Sequence, residues 1–157
     1  MKRHEQLQPL SRQHHNGLLA ALLLKKGIKK SAVTQVMADF ILGFWEHDLK
    51  THFEKEETIL VPVLNETAFD ETLTRRLLNE HSALRSYIHS LQNNFTAVDV
   101  ISDFADLLEE HIRFEERIYF PAAEIALSEE QLEVIGISLH ESENVNWCMD
   151  YPVKFWE

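Results

Sequence analysis

Cysteine, glycine and proline are nearly missing from this chain. The lone cysteine, Cys148, rules out an intramolecular disulfide and suits a cytoplasmic setting. Only four glycines and four prolines are spread over 157 residues, which favours long uninterrupted helices. Positive charge is scarce, with 15 Lys and Arg against 26 Asp and Glu. A net charge of −11 repels nucleic acid and anionic membrane, so neither is an expected partner. No apolar run approaches about 20 residues, the length that spans a bilayer. The N-terminus lacks the apolar segment of a secretory signal. Hydrophobic content is 45%, enough for a buried core, and the length fits one domain over residues 1–157.

What the chain does have is a motif that occurs twice. His52, Glu56, Glu57, Ile59 and Pro62 spell His-x3-Glu-Glu-x-Ile-x2-Pro. His111, Glu115, Glu116, Ile118 and Pro121 repeat it 59 residues later. On a helix, positions i and i+4 share one face, so each copy aims an imidazole and a carboxylate at one point.

Apolar periodicity places these pairs on long helices. Helices are expected at about 12–26, 32–64, 70–94 and 97–126, with Ser11, Ser31 and Asp70 as caps and Gly27 as a stop. Ser128 caps a short fifth helix reaching about His140. No stretch reads as a strand. The expected fold is all-α: an antiparallel up-down-up-down four-helix bundle, core about 8–126, with a short C-terminal helix and tail over 127–157. The aromatics Trp147, Tyr151, Phe155 and Trp156 fit a tail folded back as a core lid, or, as the alternative, a surface for a protein partner.

A bare His-x3-Glu pair arises by chance in a chain this rich in both residues. Here both pairs lie on apolar seams. Trp45 and Leu49 precede His52 and Glu56, while Phe104 and Leu108 precede His111 and Glu115. A carboxylate buried there costs several kcal/mol unless a cation or donor meets it. His81 lies on the third helix between Leu77 and Leu84. On the first helix, Leu18, Leu19, Leu22 and Leu23 average close to the direction of His15, with His14 as the reserve. The candidate ligands are therefore His15, His52, Glu56, His81, His111 and Glu115. Four imidazoles and two carboxylates suit two iron ions and leave open positions for water or a diatomic ligand, although zinc or manganese also accepts such donors. Glu57 and Glu116 rotate away and read as solvated or as supports, with ligation by one of them still open. Glu80 and Glu110 read as surface charges, and His4, His47, His89 and His140 as solvent-facing.

One such cluster per helix resembles the hemerythrin-like (HHE cation-binding) family over about residues 8–126. The resemblance implies a non-haem di-iron centre, with Glu56 and Glu115 bridging and the histidines as terminal ligands. The oxygen-carrying hemerythrins have five histidines, two of them four residues apart on the third helix. Here Leu77 and Arg85 flank His81 at that spacing. The pattern is thus closer to relatives that sense oxygen, nitric oxide or iron, or repair iron centres. The function expected is binding or sensing of oxygen, nitric oxide or iron. A di-iron enzyme (peroxidase, nitric oxide reductase or iron-centre repair) and a metal-stabilised interaction module are the alternatives. The Glu-x-x-His spacing of ferritin-like enzymes is not formed by the inward histidines.

Overall fold

A computed structural model of the chain describes residues 2–139 and 147–157. The described residues contain helices and no strand. Helix α1 spans Gln8–Lys29. Helix α2 covers 34–64 without a break, and α3 spans Glu71–Gln92. Helix α4 covers 98–126, α5 spans Glu129–Leu139, and α6 is the short turn Trp147–Asp150. The four long helices form a helical bundle in which α1 packs chiefly on α4, α3 on α4, and α2 on α3.

Helix α1 begins four residues earlier than its sequence suggests. Pro9 sits in the first turn, where its missing N–H costs nothing. Ser11 is no cap, because its hydroxyl donates to Glu116 across the bundle at 2.8 Å. Nor does Gly27 stop the helix. A Cβ there would meet the Phe155 ring at 2.7 Å, so glycine is required by packing. The stop is Ser31, in left-handed conformation at φ 56°, while Ala32 N–H closes onto the Gly27 carbonyl. Asp70 caps α3 as its sequence suggests, accepting from the Thr72 N–H at 2.9 Å. Ser128 and Gln131 cap α5 reciprocally.

The helices carrying the repeated motif widen at the motif itself. The turns Glu56–Leu60 and Glu115–Tyr119 are π-helical, each opening on the motif glutamate. In a regular helix the ring of Pro62 or Pro121 would strike the carbonyl four residues back. The wider turn before each proline relieves that clash, and both helices continue beyond it. A third π turn, Trp45–Leu49, lies earlier in α2.

Two apolar clusters fill the interior. One holds Leu24, Phe40, Phe44, Leu49, Phe53, Leu84, Leu108 and Ile112. The other holds Leu10, Leu60, Leu77, Tyr119, Phe120 and Leu132. Along each long helix the chain passes from one cluster to the other through a buried polar residue. The polar layer therefore lies between two dry walls.

The described part of the tail packs into the first cluster. Phe155, Trp156 and Cys148 are buried there, and Phe40 touches the rings of Trp147, Tyr151 and Phe155. At Gly43 a Cβ would lie 2.4 Å from the Trp147 ring. This packing supports the lid account of the tail. Phe155→Ala is expected to cost about 3–5 kcal/mol, the usual loss for a truncated core aromatic. Urea unfolding measures it, and a loss below about 1 kcal/mol would mean that the tail only rests on the surface.

Candidate metal centre

Six buried polar side chains meet between the two clusters: His14, His52, Glu56, His81, His111 and Glu115. They form two four-residue groups whose donor atoms lie within 4.8 Å of one another. His14, His52, Glu56 and Glu115 make one group, and Glu56, His81, His111 and Glu115 the other. Both glutamates belong to both groups.

The first helix supplies His14, and this corrects the expectation of His15, which is exposed. The leucine average misled because the large leucines do not mark the contact. Leu22 is 49% exposed, and Leu18 and Leu19 are only half-buried. The buried stripe runs Leu10, His14, Gly17, Ala21, Leu24. Small residues let α1 approach α4 closely: a Cβ at Gly17 would meet Ile112 at 2.5 Å. A hydrophobicity-weighted direction gives such residues little weight, yet they face the partner.

The inner atoms crowd one another. His14 Nε2 lies 3.4 Å and His111 Nε2 2.8 Å from Glu115 Oε1. His52 Nε2 lies 3.3 Å from Glu56 Oε2, and His81 Nε2 lies 3.1 Å from Glu56 Oε1. Despite these separations, none of the four Nε2 atoms or four glutamate oxygens has an aligned hydrogen-bond partner among the described residues. Native interiors rarely leave so many buried polar atoms orphaned. Two fully buried carboxylates side by side cannot both stay ionised without a cation. Burial first, and then the Glu115 charge, pushes Glu56 well above the usual carboxylate range. A cation placed among these atoms would satisfy all of them, so this donor set fits a pair of metal ions.

Outside the centre, three of the four imidazoles hydrogen-bond an oxygen through Nδ1. His81 donates to Glu57 at 2.6 Å and His111 to Glu80 at 2.7 Å. His52 donates to Gln13 at 2.7 Å, while His14 Nδ1 faces Glu116 at 3.5 Å. Such bonds fix the tautomer that leaves Nε2 free to ligate. Arg85 grips Glu57 with two bonds of 2.8 and 3.1 Å and lies over the rings of Trp45 and Phe53. Glu80 is thus no mere surface charge, and Gln13 carries a role that its sequence does not signal. Glu57 and Glu116 stand as supports. Glu110, His47 and His89 are exposed. His4 is half-buried and reaches Glu129 at 3.2 Å. His140 lies outside the described residues.

The supports have a measurable consequence in the metal-free protein. Burial opposes ionisation of Glu57, but His81 and Arg85 outweigh it and hold the carboxyl down at about 2. A depressed carboxyl stabilises the fold above its unfolded value of about 4.3, and that contribution disappears as pH falls toward about 2. Glu57→Gln is expected to flatten the acid limb of stability in that window. Urea midpoints across pH would show it, and an unchanged slope would remove Glu57 from the account.

A cavity of about 10 Å³ adjoins the centre. Its polar lining is Gln13, His14, Asp48, His52, His111 and Glu115, and apolar residues complete the wall. That volume suits about one water-sized molecule. No described helix is long and apolar enough to cross a membrane.

In a comparison with known protein families, residues 4–123 match a family described as the hemerythrin HHE cation binding domain. Neither the curated proteins nor the solved structures return a match.

Proposed function

The chain belongs to the hemerythrin HHE cation-binding family, and from that premise we propose that it holds two iron ions and binds or senses a diatomic ligand, oxygen or nitric oxide. The observation that carries this reading is the pair of four-residue groups sharing Glu56 and Glu115. His14 and His52 serve one ion, His81 and His111 the other, and the two glutamates serve both. Iron bound there supplies an open coordination position and a change of oxidation state. The four long helices, read as an up-down-up-down bundle with short connections, bring one histidine each, and the tail completes the same unit.

The remaining chemistry belongs to the chain. Glu57, Glu80 and Gln13 orient three imidazoles through their Nδ1 protons. The two apolar clusters keep bulk water away, which strengthens electrostatic interactions inside. The small cavity beside His14, His52, His111 and Glu115 offers space for a small ligand next to the donor atoms.

Metal analysis of protein purified without oxygen tests the reading, with optical spectra before and after nitric oxide or air. Two irons per chain and a gas-dependent band are expected. Zinc or manganese in their place would retain the site and overturn the iron. Trace metal unaffected by His52→Ala or His111→Ala would sink the site altogether. Sustained consumption of nitric oxide or hydrogen peroxide would move the protein to the enzymes.

A further inference from the structure

We propose that Asp48 is a specificity determinant of the cavity, admitting neutral small ligands and repelling anions; this rests on the iron-binding reading above. Asp48 lies in the π turn Trp45–Leu49, about one turn before His52. Its carboxyl lines the same cavity as His14, His52, His111 and Glu115. Around it the wall is apolar, built from Gly17, Phe44, Leu49, Phe53, Leu108 and Ile112. Asp48 Oδ2 is buried and has no hydrogen-bond partner among the described residues. Gln13, the other polar wall residue outside the candidate ligands, already accepts from His52.

Helix α6 packs against α1 and α2 near Asp48. The Cys148 thiol approaches the Asn16 carbonyl at 3.8 Å, and Trp147 stacks on His47 at 5.3 Å. Leucine or alanine at position 48 would fill the space without an orphaned oxygen, and an unpaired buried oxygen costs stability. Burial pushes the Asp48 carboxyl up to about 6, with His47 opposing it. Three of the imidazoles bond oxygens other than Asp48, and His14 Nδ1 faces Glu116 at 3.5 Å.

Asp48 is half-buried, and its buried Oδ2 is the atom available to a molecule in the cavity. It accepts a hydrogen bond from a ligand or water that carries a proton. It raises the energy of an anion confined to the same small volume. At an effective dielectric near 20, like charges a few ångströms apart repel enough to change affinity by about tenfold or more. A neutral diatomic ligand feels no such repulsion. Asp48 thereby keeps small anions from occupying the position a gas needs.

The test uses the full iron-loaded chain as wild type, Asp48→Asn and Asp48→Ser. Azide is the anionic probe and nitric oxide the neutral one. Affinities come from optical titration, and the infrared azide stretch reports its surroundings. In both variants azide is expected to bind at least about tenfold tighter, with nitric oxide changed less than about twofold. Unchanged azide affinity at full iron content would overturn the role of Asp48 alone. Equal shifts for both probes would also overturn it, since loss of an interior water acts on either ligand. Absence of iron in the wild type would sink the parent reading, and the filter with it.

Discussion

Glu56→Gln is expected to change stability in opposite ways with and without metal. In the metal-free chain Glu56 is driven toward its neutral form by burial and by Glu115. Glutamine copies that neutral shape, so the metal-free variant should melt within a few degrees of wild type. In the loaded protein the same oxygens are shared by both groups of donors. An amide cannot supply the missing negative charge, and metal affinity should fall about 100-fold or more. Ligand linkage gives the thermal readout. Metal at about 1,000 times its dissociation constant stabilises the wild type by about 4 kcal/mol. For a chain of this size that is roughly 8–16 °C in Tm. Wild type should show this increment on loading and lose it to a chelator, while Glu56→Gln should show little of it. Metal uptake should also weaken as pH falls, because protons on Glu56 and the imidazoles must leave first. An equal metal increment in both proteins would remove Glu56 from the centre.

The second large effect separates two adjacent histidines. His14→Ala is expected to abolish binding of one of the two ions, and His15→Ala to leave both in place. His14 is buried with Nε2 directed at Glu115, whereas His15 is exposed. Removing His14 leaves its four-residue group with one imidazole, while the group of His81 and His111 is untouched. Metal stoichiometry by mass spectrometry decides between them. Loss of an ion in His15→Ala with both retained in His14→Ala would reverse the assignment. His14 also stacks on Phe120 at 5.5 Å, so Tm of the metal-free variants should be recorded alongside. A drop in stoichiometry without a drop in that Tm isolates ligation from packing.

Much of the centre is legible in the chain because the relevant spacing is local. His52 with Glu56, and His111 with Glu115, are one helical turn apart whatever surrounds them. Leu77 and Leu84 place His81 on a buried seam by the same logic. The supports are another matter. Glu80 reaches His111 from a neighbouring helix, 31 residues away in the chain, and Gln13 reaches His52 across 39. No local pattern reports such distances. Asp48 reads as an ordinary helix carboxylate until the cavity wall gathers beside it.

The sequence by itself determined the all-helical composition, the limits of most helices and the inward placing of five candidate donors on α2, α3 and α4. Periodicity, capping residues and the repeated motif are properties of a few consecutive residues, so they survive without a partner. Tertiary structure alone decided which histidine of α1 faces inward, because Gly17 marks the contact only when Ile112 of α4 is there to fill the space. It also decided that Gly27 and Gly43 make room for tail aromatics. A glycine reads as a break in a lone helix and as a socket once another ring arrives.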